Sequence, residues 1–224
     1  MSSAATYVSL FVLLGLLAVG HAADPTPLDQ LSSSAFVYRP ATFTATPNLT
    51  VAGVRTKRST TEWPALTGLG LAQTVFTLQP CAARVPHHHQ KASGLLYAFN
   101  AAQLEVGLVL ETGEQIVNVI KTGASAIFPV GLVHYQRNLD CSPASYVITY
   151  NDEDAGTVNL APALLNLPQD TVMDVLGLDA PGYQGLLQSA HNDTFTIGTA
   201  SIDCRKRCAA TVVPLPAVSG RKMK

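Results

Sequence analysis

An all-β jelly-roll barrel followed by short C-terminal α-helices is the fold class this sequence predicts, and two observations carry the prediction. Between residues 71 and 150 short β-rich runs recur at close spacing, each bounded by Gly, Pro or Thr-Gly turn signals, the pattern of antiparallel strands in a sandwich or barrel. A composition of 47% hydrophobic and 13% charged residues over 224 positions is sufficient to bury one full core, and suits one domain. Among such folds the jelly roll surrounds a central pocket with inward side chains.

Taken in order, Tyr7 to Val19 is almost wholly apolar and is followed by Gly20-His21-Ala22. This predicts a secretory signal peptide over 1–22, cleaved after Ala22. The run is shorter than the roughly 20 apolar residues that span a bilayer, so no membrane association is expected after cleavage. Residues 23–60 form an N-terminal arm, loosely packed to about Leu31 and then built of short extended pieces.

The barrel is assigned to 61–165. Trp63-Pro64 leads to a turn at Gly68-Leu69-Gly70, and Leu71 to Leu78 alternates, with Ala72, Thr74, Phe76 and Leu78 on one face. Further strands are expected at Leu95–Phe99, Leu104–Leu110, Ile116–Ile120, Ala124–Pro129 and Tyr146–Tyr150. Thr112-Gly113 and Thr122-Gly123 mark turns.

A C-terminal helical segment with a final strand or loop is assigned to 166–208. Asp170 is the expected cap of a helix that runs through Val175 or Leu176 and stops at Gly177, and Tyr183 to Ala190 is a second short helix. The apolar set around Val172, Met173, Val175, Leu176 and Leu178 is buried either within the barrel or against another subunit. Residues 209–224, with Pro214, Pro216 and a basic end, read as a mobile tail.

Fourteen basic and fifteen acidic residues leave a net charge of −1, which provides no electrostatic footprint for nucleic acid or an anionic membrane. Secretion favours disulfides, and Cys81, Cys141, Cys204 and Cys208 allow three pairings. A Cys81–Cys141 bridge would staple the histidine region, and Cys204 with Cys208 would close a small loop. Asn48-Leu49-Thr50 and Asn192-Asp193-Thr194 are sequons in a secreted glycoprotein.

The chemistry concentrates in Pro86-His87-His88-His89-Gln90-Lys91-Ala92-Ser93-Gly94 and in Phe128-Pro129-Val130-Gly131-Leu132-Val133-His134. On a strand His87 and His89 share a face and His88 points away. If the second segment is a neighbouring strand, His134 joins them, and three neutral imidazoles are a recurrent metal-ligand set. His191, alone beside a sequon, reads as an exposed residue.

The first segment resembles the PHxHPRATE signature of germins and germin-like proteins, and residues 128–138 resemble their FPxGLxHFQxN signature. Trp63 to Gly70, Leu104-Glu105-Val106-Gly107, Asp154-Ala155-Gly156 and Asp174-Val175-Leu176 extend the resemblance over most of the mature chain. It implies a single-domain cupin: a secreted, often glycosylated jelly roll of the cell wall or apoplast, hexameric, with C-terminal helices helping to hold the hexamer.

The resemblance further implies manganese bound by three His and one Glu. His87, His89 and His134 match the histidines, but the family's Glu falls on Gly94. Without that carboxylate the remaining nitrogen donors also suit zinc, copper or iron. Glu105, the nearest downstream acid, aligns with an ordinarily outward position. Arg84 stands where oxalate-oxidising germins carry Asn, and a guanidinium can bind a carboxylate in a fork. Gln136 and Asn138 read as hydrogen bonders at turns and strand ends, and Phe128, Leu132 and Tyr135 as packing residues.

Two functions follow as expectations. One is a secreted metalloprotein with superoxide dismutase or oxalate oxidase-type activity, acting on a small oxygen species or a small carboxylate. The other is a matrix or cell-wall protein, structural or glycan-binding, with catalysis weakened by Gly94.

Overall fold

The computed structural model describes residues 28–39, 48–50, 52–190, 197–199 and 202–209. The apolar N-terminal segment, His191, the Asn192 sequon and the tail from 210 lie outside the described residues.

In chain order the first strands are β1 (Asn48–Thr50), β2 (Gly53–Arg58), β3 (Ala72–Leu78), β4 (Ala82–His89), β5 (Gly94–Asn100) and β6 (Leu104–Val109). They are followed by β7 (Gln115–Ile120), β8 (Ser125–Phe128), β9 (His134–Asn138), β10 (Ala144–Tyr150) and β11 (Thr157–Asn159). Then come α1 (Leu160–Leu165), α2 (Gln169–Leu176), α3 (Ala180–Ala190), β12 (Ile197–Thr199) and α4 (Ile202–Cys208).

Two sheets result, with every pairing antiparallel. One has the order β1-β2-β3-β10-β5-β8; the other runs β11-β4-β9-β6-β7, with β12 also pairing β4. From β3 to β11 the chain crosses between sheets at every step except the β6–β7 hairpin. That alternation is the jelly roll.

The alternation read in 72–78 has the expected phase. Ala72, Thr74, Phe76 and Leu78 are buried while the residues between them are half-buried. They meet Leu96, Leu104, Val106, Phe128, Tyr146 and Ile148 in one core. Each fully buried large apolar side chain contributes about 1.5–3 kcal/mol.

The C-terminal part corrects two details. Asp170 is not the cap of α2: Pro168 holds that position at φ −52°, and Asp170 lies in the first turn, where its carboxylate accepts the Thr171 N–H at 2.9 Å. A rigid φ near −65° preorganises helix entry and moves the start back two residues. The expected stop is present, since Gly177 adopts φ 63° and donates to the Met173 carbonyl. The second helix starts earlier than Tyr183, because Asp179 Oδ1 accepts the Gly182 N–H at 2.8 Å and fixes its first turn. Val172 is buried, whereas Val175 and Leu176 are exposed.

The structure selects one of the three cysteine pairings. The disulfides are Cys81–Cys204 and Cys141–Cys208, not Cys81–Cys141 with a Cys204–Cys208 loop. Cys204 and Cys208 are four residues apart on α4, so they share a face with Cβ atoms about 5–6 Å apart, too far for a mutual bridge. Each reaches instead to one of two adjacent strand ends: Cys81 precedes β4, and Cys141 follows β9. The tail helix is thus fastened to the very strands that carry the histidines.

Candidate metal centre

β4 is antiparallel to β9, and His87 stands directly opposite His134. His89, two residues along β4, shares the face of His87. All three are buried, at 1%, 2% and 1% exposure. Their potential ligand atoms all lie within 4.8 Å of one another, and the His87 and His134 ring centroids are 4.2 Å apart. The sequence expectation that the second segment is a neighbouring strand therefore holds, and His88 faces outward between its neighbours, half-buried.

Each imidazole is held through Nδ1. Val85 and Leu132 carbonyls accept from His87 and His134 at 2.7 and 2.8 Å, and His89 Nδ1 lies 3.1 Å from Thr157 Oγ1. Bonds from Nδ1–H to carbonyls fix a neutral tautomer with the Nε2 lone pair available. Nε2 of His89 and of His134 is buried without a protein hydrogen-bond partner. Unpaired buried polar atoms are costly, and convergence of such atoms is what an ion-binding centre requires.

Electrostatics keeps the rings neutral. Burial is the largest cause in every case. It drives His87 well below its ordinary value, aided by Arg84 and the other two rings. It lowers His89 to about 3, with His134 and Arg84 adding to it, and His134 to about 4 against the opposing bond to Leu132. Neutral imidazole is the ligand-competent form.

The loop of the second box is positioned by one glycine. Gly131 adopts φ 81°, as the third residue of a type II turn requires, and its N–H donates to the His89 carbonyl at 2.8 Å. Phe128 then stacks on His134 at 4.4 Å.

Arg84 joins this interior through a break in alternation. Arg84 pairs with Gln136 and His87 with His134, so Val85 and Pro86 together oppose Tyr135 alone. This β-bulge turns both Arg84 and His87, three residues apart, into the barrel. Arg84 is 2% exposed and donates to Asn159 Oδ1 at 2.9 Å. Burial lowers its pKa to about 10, so it remains a cation at neutral pH.

The cupin family profile matches residues 43–182. The chain belongs to the cupin family. Curated relatives of this cupin include spherulin-1B of Physarum polycephalum, 28% identical over 68% of this chain and 61% of the relative. They also include spherulin-1A of the same organism, 31% identical over 51% and 46%. A probable germin-like protein, subfamily 2 member 5, of Arabidopsis thaliana is 30% identical over 63% and 66%. The chain thus spans about half to two thirds of the length of these relatives, and the germin resemblance of its two histidine boxes is borne out. Among solved structures, oxalate oxidase superposes with a TM-score of 0.66 at 20% identity, covering 74% of this chain and 86% of the other. Bacillus subtilis oxalate decarboxylase gives 0.62 at 18%, covering 70% and 40%. At those identities the likeness establishes the jelly-roll fold of this cupin.

Gly94 lies inward on β5, opposite Tyr150. A Cβ there would be 3.0 Å from Ile148 Cγ2 and 3.4 Å from Tyr150 Cε1. Neighbouring side chains therefore crowd the start of any longer side chain at this position. Glu105 supplies no substitute: it is on the outer face of β6, 3.4 Å from Arg137.

Asn138 is a strand-end hydrogen bonder as expected, donating to the Leu78, Gln79 and Ser142 carbonyls. Tyr135 is not turned to the histidine face and covers Gly107 from outside. Gln136 was undervalued by its sequence reading. It is fully buried opposite Arg84, accepts the Tyr146 hydroxyl at 3.3 Å, and has no protein acceptor for Nε2. Its place on the His134 face, two residues along β9, was the available signal.

Proposed function

We propose that this germin-like cupin is a secreted metalloprotein whose ion is held by His87, His89 and His134. The observation carrying this reading is the pair of buried, unpartnered Nε2 atoms in a three-imidazole cluster with ligand atoms within 4.8 Å. Three neutral nitrogens without an inward carboxylate fit zinc, copper or iron better than manganese, the ion expected from the germin resemblance. The ion would supply Lewis acidity, and redox cycling if it is manganese, copper or iron, at its open positions.

The chain's own residues define what could be bound there. Arg84, brought inward by the bulge, provides a fixed cationic fork beside the histidines, and Gln136 Nε2 is a neutral donor on the same inner wall. Phe128 and Tyr150 flank the imidazoles and keep water from much of their surface. This favours a small carboxylate over an uncharged ligand, and the proposed activity is oxidase or dismutase-type chemistry of small oxygen species.

Secretion to the extracellular space or cell wall, glycosylation, and assembly with further copies of the chain complete the proposal. The two disulfides are consistent with an oxidising compartment.

Elemental analysis of untagged protein recovered from the extracellular medium tests the central claim. The expected result is about one ion per chain, lost in His134→Ala. No bound ion in the unsubstituted protein overturns it. A second reading, a structural or glycan-binding matrix cupin, is favoured by the crowding of Gly94. It predicts metal-free protein that retains binding to cell-wall glycans.

A further inference from the structure

The cavity bordered by His89 carries more positive charge than an ion and one small carboxylate would require. Its volume is about 450 Å³, within the range of small-molecule sites. Arg55, Lys57, Arg84 and Lys91 line it, and Asp154 is the one carboxylate among its lining residues. Asp154 is already shared between the two lysines, 3.3 Å from Lys57 Nζ and 3.7 Å from Lys91 Nζ.

The two arginines come from opposite sheets. Arg55 on β2 is in register with Phe76 and so faces the interior of the first sheet, while Arg84 faces it from β4 of the second. Burial is the main cause lowering the pKa of each, and their mutual repulsion adds to the effect at Arg84. Glu62 attracts Arg55, but its carboxylate accepts the Ser59 N–H at 3.0 Å and does not line the cavity. A buried guanidinium and a half-buried one across one cavity call for an anionic occupant that reaches both.

We propose that the cavity takes a small acid with two anionic groups, at least one of them a carboxylate: the inner group beside Arg84 and the histidines, the outer group on Arg55 flanked by Lys57 and Lys91. A chain of about four to six carbons suits a cavity of this size better than a two-carbon acid does. The inner half rests on the metal-site reading above; the outer half does not.

The test is calorimetric titration of the purified full chain, with and without bound metal, using acetate, succinate, glutarate and inorganic phosphate. Succinate or glutarate binds at least about tenfold tighter than acetate, the size expected of one added charge-assisted contact. Arg55→Met removes that advantage and leaves acetate within about twofold. If Arg55→Met does not fold, Lys91→Met, at a side chain 56% exposed, replaces it and weakens the diacids selectively. Diacids no tighter than acetate, an advantage insensitive to both substitutions, or phosphate binding tighter than either diacid overturns the proposal. An advantage that survives in metal-free protein supports it even where elemental analysis has refuted the metal site, so the two readings fail separately.

Discussion

The Tyr150 ring lies edge-on to His89 at a centroid separation of 4.8 Å and comes within 3.4 Å of where a Cβ on Gly94 would stand. One aromatic side chain thus borders both a candidate ligand and the position from which germins supply their acid. The loss of the carboxylate is therefore built into the packing around it, because Ile148 and Tyr150 together crowd the start of its path. Gly94→Glu alone is expected to destabilise the protein by about 1–3 kcal/mol, the usual cost of overpacking. Paired with Ile148→Ala, it regains part of that loss and raises manganese affinity. Chemical denaturation and manganese titration of the two variants check this, and equal stability of Gly94→Glu and the parent contradicts the packing argument.

Burial of the histidines also fixes an acid response. In metal-free protein their folded pKa values lie below the ordinary 6.5, at about 3 for His89 and about 4 for His134, and well below it for His87. The unfolded chain therefore binds more protons as pH falls below 6.5. Stability is complete above that value and declines on acidification towards pH 4, with a limiting slope of about 1.4 kcal/mol per pH unit for each imidazole. Urea midpoints between pH 8 and pH 4 should show the decline, and His134→Ala should reduce its slope. A saturating metal raises stability by binding the native state and competes with protons for the native rings, while the onset, set by the unfolded imidazoles, stays near pH 6.5.

Thr157 contacts the Nδ1 side of His89 at 3.1 Å and pairs with it across β11 and β4. Thr157→Val keeps the shape and removes the contact. Partners of this kind orient the ligand ring, so metal affinity should fall by about 10–100-fold while the melting temperature of the metal-free protein changes little. Competition with a chelator of known affinity measures the first and thermal unfolding the second.

Much of the barrel was legible in the sequence because inward and outward residues alternate cleanly, as in 72–78 and 94–98. The three histidines were legible for the same reason, helped by spacing that resembles a known family. Arg84 entering the interior was not, since strict alternation from His87 and His89 puts it on the outer face; only the cross-strand register reveals that Val85 and Pro86 share one partner. The disulfides were illegible for a different reason. Four cysteines admit three pairings, and the choice depends on α4 presenting Cys204 and Cys208 on one face to two separate strand ends.

That clasp closes loops of 123 and 67 residues in sequence separation. Chain-entropy arguments assign a few kcal/mol to each such closure, roughly 4–5 kcal/mol as an upper range before strain. Peptide mapping under non-reducing conditions should recover Cys81 linked to Cys204 and Cys141 linked to Cys208. Replacing Cys141 and Cys208 together by Ser should lower stability by about 2–4 kcal/mol. Recovery of a Cys81–Cys141 peptide instead would contradict the clasp.

The outer surface makes the last prediction. Leu95, Tyr97 and Phe99 on β5 and Ile127 on β8 are exposed at 53%, 45–46% and 67%, with Leu95 directly opposite Ile127 across the β5–β8 pair. An apolar row of this kind on the outside of a sheet is where the proposed assembly predicts that a second copy of the chain docks. Substituting Ile127→Lys places a charge at the most exposed of these four strand positions without touching the barrel interior. Light scattering after gel filtration should show the unsubstituted protein as an oligomer and this variant shifted towards monomer, with far-ultraviolet dichroism unchanged. An unsubstituted protein that is already monomeric at micromolar concentration would assign the row some other role and remove assembly from the proposed function.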